Sequence, residues 1–94
     1  MKLNFEWDEE KAKTNIKKHG IGFDEAITVF LDPFSMTIYD PNHSADEQRY
    51  ISIGSSDQGR MLVVVYTERR STTRIISCRK ATPSERKLYE EKSN

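Results

Sequence analysis

All seven arginines of this chain, Arg49, Arg60, Arg69, Arg70, Arg74, Arg79 and Arg86, lie in its second half, although lysines occur in both halves. Guanidinium is planar, permanently charged and able to grip a phosphate or carboxylate through two parallel N–H donors. A bias toward it over lysine therefore points to a polyanion or to a set of specific ion pairs. The segment Arg49 to Lys80 holds six of the seven arginines and carries a net charge of +5. Tyr39, Tyr50 and Tyr66 stand in or beside it, and aromatic rings stack on unpaired bases, so the stretch has the make-up of a surface for single-stranded RNA rather than duplex DNA. The competing use of these charges is internal. Residues 1–47 carry a net −5, and their acids can pair with the arginines and hold the two halves together.

Individual positions divide in the same way. By simple alternation Arg79 shares a strand face with Ile75 and Ser77, and Arg74 shares the opposite face with Ile76 and Cys78. An arginine among buried positions needs a partner, which for Arg79 is either Glu85 or a phosphate in a cleft. Arg49 alternates with Ile51 and Ile53, with Glu47 beside it as a possible ion-pair partner. His19 precedes Gly20 at a helix end, where it either compensates the helix dipole or serves as a general acid or base. His43, in a Pro-Asn-His-Ser loop, reads as solvated. Cys78 is the one cysteine; it cannot form an internal disulfide and reads as a buried thiol. There is no His-Glu-x-x-His pair, phosphate loop or Gly-x-Ser-x-Gly elbow, and the spacing of Asp46, Glu47, Asp57 and His43 gives no metal site and no resident cofactor.

Ninety-four residues leave room for one domain, 1–94, with one core. The hydrophobic share of 35% comes as short concentrated runs. No stretch approaches the roughly 20 apolar residues of a membrane span, and no signal peptide opens the chain, so it reads as cytoplasmic. Leu3, Phe5 and Trp7 alternate with polar residues. Asp8 then caps a helix that stops at Gly20, with Ala12, Ile16 and His19 on one face. A second helix runs from Phe23 to Leu31 and ends at Asp32-Pro33. Period-two patterning follows over Ser35–Asp40, Glu47–Ile53, Arg60–Glu68 and Thr73–Lys80, the third apolar on both faces and hence central. Thr82-Pro83-Ser84-Glu85 then combines a cap, a first-turn proline and a capping-box glutamate for a last helix reaching Lys92. The order α-α-β-β-β-β-α predicts an α+β fold with an antiparallel four-stranded sheet.

The spacing Phe5-x-Trp7-Asp8-x-x-Lys11-x-x-x-Asn15-x-x-Lys18-His19-Gly20-Ile21-x-Phe23-x-Glu25-Ala26 resembles the BrnT family of type II toxin-antitoxin systems. The resemblance continues through Asp32-Pro33, Glu47-x-Arg49, Gly54, Val65-Tyr66-Thr67, Arg74-Ile75-Ile76-Ser77-Cys78-Arg79-x-Ala81, Glu85-Arg86 and Tyr89. It spans nearly the whole chain. Gly22 stands where a small hydroxyl residue is common in that family, and Cys78 where alanine or another small residue is usual. The resemblance implies a compact RelE-like fold and a ribonuclease that blocks translation. It further implies neutralisation by a BrnA-type antitoxin with a DNA-binding domain, in a hetero-oligomer that represses its own operon and reaches operator DNA only through the antitoxin.

The expectation for mechanism is metal-independent cleavage. The RNA 2′-hydroxyl attacks the adjacent phosphorus and leaves a 2′,3′-cyclic phosphate, with Arg79 and Arg49 on the phosphate and His19 moving a proton. Arg69, Arg74, Tyr66, Thr67 and Glu47 are the expected RNA-binding neighbours. The rival expectation is a non-catalytic module whose arginine-rich surface holds the antitoxin and acts as co-repressor.

Overall fold

In the computed structural model, which describes residues 4–40 and 48–92, the chain opens with a short strand, β1 (Asn4–Trp7), and then helix α1 (Glu9–His19). Asp8 caps α1, its carboxylate accepting from the N–H groups of Glu10 and Lys11. Gly20 ends it in the left-handed region at φ 70°, a conformation that glycine adopts without steric cost. Helix α2 (Phe23–Ala26) passes directly into a 3-10 segment, Ile27–Leu31, where the sequence pattern predicts one helix throughout. The run Ile27-Thr28-Val29 is β-branched, which disfavours α-helical packing of successive turns. Strands β2 (Met36–Asp40), β3 (Arg49–Ser55), β4 (Met61–Arg69) and β5 (Thr72–Lys80) and helix α3 (Pro83–Lys92) complete the chain.

The fold is α+β, but the sheet is mixed and five-stranded, in the order β1-β5-β4-β3-β2. This corrects the expected four antiparallel strands. The alternation at Phe5 and Trp7 belongs to a strand that pairs parallel to β5, with Asn4 opposite Thr72 and Trp7 opposite Ile75. Its partner is so distant along the chain that no local pattern announces the pairing. The other neighbours are antiparallel, with β4 central.

One sheet face carries Tyr50, Ser52, Gly54, Leu62, Val64, Tyr66, Ile75 and Cys78, as cross-strand register and side-chain alternation require. Leu62, Val64, Tyr66, Ile75 and Cys78 form the main core with Ala12, Ile21, Phe23, Ala26 and Val29. Rings add edge and stacking contacts, Trp7 on Phe23 at 5.9 Å, Phe30 on Tyr66 at 5.0 Å and Tyr50 on Tyr66 at 5.6 Å. Gly54 lets the 3-10 segment approach, since a β-carbon there would stand 2.9 Å from Val29. On α1 the buried positions are Ala12 and Asn15, while Ile16 is 53% exposed. The expected Ala12, Ile16 and His19 stripe is thus displaced by one residue, because Asn15 has polar work inside.

That work concerns the outer edge of β5. Strand β1 pairs with β5 only from Thr72 to Ile75, leaving the backbone beyond without a strand partner. The Asn15 side chain takes the place of one. Its amide donates to the carbonyls of Cys78 and Ile21, both at 2.9 Å, and its carbonyl accepts from the Cys78 N–H at 3.1 Å. The Cys78 thiol beneath is fully buried, and burial pushes its pKa up to about 12.

The opposite sheet face is covered unevenly. Ile53 and Val63 are buried but stand outside the main cluster. Helix α3 packs against β3 and is tied down at both ends. In its first turn the capping box is complete, the Thr82 N–H donating to Glu85 and the Glu85 N–H to the Thr82 hydroxyl. Farther along, the Tyr89 hydroxyl donates to Asp32 at 2.6 Å, and Asp32 also accepts from the N–H groups of Ser55 and Phe34. Among the described residues no helix is long and apolar enough to cross a membrane.

Candidate functional site

A bulge in β5 decides which arginines meet. Val65 pairs with Ser77 but Tyr66 with Ile75, so Ile76 is an extra residue on the β5 side. Alternation is broken there, and Ile75 and Cys78 both face the core. Arg74, Ser77 and Arg79 consequently share the other face. This corrects the expectation that Arg74 and Arg79 lie on opposite faces, which followed from an unbroken period of two.

Register then arranges this second face in rows. One row reads Asp40, Arg49, Thr67, Arg74 and Glu6 across β2, β3, β4, β5 and β1. Arg69, two residues beyond Thr67, lies on the same face beside the β4–β5 turn. Arg70 in that turn is held at φ 57°, uncommon for a residue other than glycine. The next row holds Ile51 and Val65, and the next Ile53, Val63 and Arg79. Because α3 packs toward the Ile53 end, the row with Arg49 and Arg74 is left half-buried rather than closed.

Four of the expected positions, Arg49, Thr67, Arg69 and Arg74, are therefore neighbours. With strands roughly 4.8 Å apart, the α-carbons of Arg49 and Arg74 stand about 10 Å apart with Thr67 between them. Two guanidinium groups at that spacing can converge on one phosphate. Arg74 is held by Glu6 at 2.8 Å, its side chain 27% exposed.

Arg79 sits differently. Four residues and two strands away, its α-carbon is about 17 Å from that of Arg49. Both its terminal nitrogens are engaged by Glu85, at 2.7 and 2.8 Å. The Arg79 guanidinium, with the Thr82 N–H, holds the Glu85 carboxyl down at about 2. Its folded pKa lies below the ordinary 4.5, so the stabilisation from this pair is complete above about 4.5 and is lost as pH falls toward about 2. Thermal midpoints measured from pH 7 to pH 2 are expected to fall less steeply in that window for Glu85→Gln than for the parent protein, with a lower starting value at pH 7. Identical slopes would show that the pair contributes nothing.

Tyr66 faces the other way, buried in the core with Phe30 and Tyr50. His19 is exposed at the end of α1. It lines a cleft of about 280 Å³ with Lys11, Thr14, Lys18, Ile76 and Ser77, so it stands at the β5 edge beside the bulge. Glu47 and His43 lie outside the described residues. Among the described residues no group of three or more His, Cys, Asp and Glu side chains is placed to hold a metal ion.

Sequence reasoning assigned no role to two residues that organise this arrangement. Asn15 secures the β5 edge behind the bulge. Glu25, 5% exposed, receives the Arg60 guanidinium through two nitrogens and the Ser56 hydroxyl at 2.7 Å, and the Arg60 contact holds its carboxyl below the ordinary range. A glutamate among the apolar residues Phe23, Ala26 and Ile27 was the available signal. The acid–base split along the chain is thus partly internal, as Glu25 with Arg60, Glu6 with Arg74 and Glu85 with Arg79 show.

Comparison with known proteins bears on the family and the fold. Residues 7–85 match the family model described as the ribonuclease toxin, BrnT, of type II toxin-antitoxin systems. The fold is similar to a 1.1 Å crystal structure of the Brucella abortus ribonuclease toxin, BrnT. The TM-score is 0.66 and the identity 30%, over 86% of this chain and 99% of that one. No curated protein matches the sequence. With the family model covering most of its length, the chain belongs to the BrnT family of ribonuclease toxins of type II toxin-antitoxin systems.

Proposed function

We propose that the protein cuts RNA in the cytoplasm by transesterification on the half-open sheet face, and that this cutting inhibits translation. The 2′-oxygen adds to the adjacent phosphorus as its proton passes to a base. The bond from phosphorus to the 5′-oxygen breaks, and that oxygen takes up a proton, leaving a 2′,3′-cyclic phosphate and a 5′-hydroxyl. The chemistry calls for no metal. What supports the reading is the row in which Arg49 and Arg74 flank Thr67: two permanent cations over one point of a sheet suit the charge that builds on the phosphoryl oxygens in the transition state.

Arg69 and Arg79 take neighbouring phosphates in this reading, and Arg79 also anchors α3 through Glu85. His19 moves a proton from the β5 edge, where its cleft includes Ser77. Glu47, next to Arg49 in sequence, is a second proton-transfer candidate. Tyr66, in the opposite layer, acts on RNA only by shaping the strand. A BrnA-type antitoxin neutralises the toxin by covering the basic face, and the complex represses its operon through the antitoxin's DNA-binding domain.

A non-catalytic, antitoxin-holding module is the second reading. It is favoured by the ion pairs of Arg74 and Arg79, which spend part of their charge inside the molecule. One experiment separates the two. The chain is expressed without a partner and growth is followed; the purified protein is then incubated with RNA in the presence of a chelator. Growth arrest with chelator-resistant cleavage ending in cyclic phosphate is the expected result. Folded protein that leaves RNA intact and binds its antitoxin would overturn it.

A further inference from the structure

Among the described residues a single buried side-chain oxygen or nitrogen lacks a hydrogen-bond partner, and it is Oγ1 of Thr67. The residue is 2% exposed and occupies the middle of the row between Arg49 and Arg74. A hydroxyl taken out of water without a partner lowers stability. Valine has the same shape and avoids that penalty, and β4 already uses valine at Val63 and Val65, four and two residues away on the same face. Packing therefore does not call for threonine at this position. A hydroxyl with no partner among the described residues is open to a group from outside the chain.

Its surroundings limit what that is. The cross-strand neighbours within side-chain reach on this face are Arg49 and Arg74, and both are donors only. A ligand settled between two guanidinium groups carries negative charge and offers acceptor oxygens. A hydroxyl beneath it serves as a third donor.

We infer that Thr67 Oγ1 donates a hydrogen bond to a non-bridging oxygen of the phosphate held between Arg49 and Arg74. The inference rests on the RNA-cleaving reading of this face. As the 2′-oxygen adds to phosphorus, negative charge on the non-bridging oxygens grows, so a fixed donor holds the transition state more strongly than the bound substrate. The hydroxyl is buried in the free protein, so this bond requires the side chains flanking Thr67 to shift when RNA binds.

The test compares Thr67→Val with Thr67→Ser. The valine protein is expected to fold with an unfolding midpoint equal to or above that of the parent, while kcat falls at least about tenfold with little change in KM. The serine protein, which keeps the donor, is expected to stay within about threefold of the parent kcat. A lowered midpoint for Thr67→Val, or failure to fold, overturns the inference, because the hydroxyl would then be satisfied inside the native protein, for instance by a buried water. A stable valine protein with unchanged kcat overturns it as well. Arg49→Ala and Arg74→Ala, assayed alongside, separate the two levels. If both cleave RNA at the parent rate, the reading of the face is wrong; if both lose cleavage and Thr67→Val does not, only the hydroxyl is misassigned.

Discussion

Arg49→Ala is expected to cut RNA about 10²-fold more slowly than the parent protein while remaining folded, and to lose growth arrest when expressed without antitoxin. The magnitude follows from the role proposed for the side chain. In an addition at phosphorus the protein supplies little bonding and much electrostatics, so a cation fixed beside the phosphoryl oxygens acts on the barrier itself rather than on substrate binding alone. Arg49 is half-buried on β3, where the field of a charge is screened less than at the open surface. Arg74→Ala is expected to act in the same direction and to weaken the attachment of β1, since Glu6 loses its partner. In the proposed reaction the two serve one phosphate, so the double variant is expected to lose less than the product of the single losses. Cleavage rates with a defined RNA, and circular dichroism to establish folding, measure this. Lys87→Ala, which removes an exposed positive charge from α3, controls for loss of net charge. Equal rates for Arg49→Ala and Lys87→Ala would remove the sheet face from the mechanism.

The second large effect concerns stability. Asn15→Ala removes three buried hydrogen bonds and leaves the Cys78 N–H and the carbonyls of Cys78 and Ile21 without the partner they have now. At about 1–3 kcal/mol for each buried group left unpaired, the loss is expected to reach roughly 3 kcal/mol or more. A domain of this size has about 5–15 kcal/mol in total. The thermal midpoint is then expected to fall by roughly 12 °C or more. Asn15→Asp keeps the acceptor for Cys78 but loses both donors, and is expected to fall between alanine and the parent at neutral pH. Denaturation monitored by circular dichroism decides the matter. A shift of only a degree or two for Asn15→Ala would mean that water replaces the asparagine along the β5 edge.

Much of this protein can be read along the chain because the relevant forces are local. Asp8 and Gly20 bracket α1, Thr82 and Glu85 open α3, and the doubly apolar Met61–Tyr66 run lies at the centre of the sheet, all as capping and period-two patterning require. Strand β1 escaped because four residues of alternation mean little without their partner, and the partner is β5. The bulge at Ile76 escaped for a related reason. Nothing in Arg-Ile-Ile-Ser-Cys-Arg marks which residue will be extra, since that is settled by how β5 registers against β4 while Asn15 grips Cys78 on its other edge.

The asymmetry of charge along the chain has two parts. The sequence alone establishes that most of the arginines gather on or beside strands, that the first, largely helical half is acidic and, through its motifs, that the chain resembles a known toxin family. It does not establish which arginines act together. Glu25, Glu6 and Glu85 each take up one of them, and one inserted residue in β5 turns Arg74 and Arg79 onto the same face. Folding leaves Arg49 and Arg74 over an unpartnered Thr67 hydroxyl. Strand order, register and the reach of α3 are properties of residues far apart in sequence, and only their packing brings that row together.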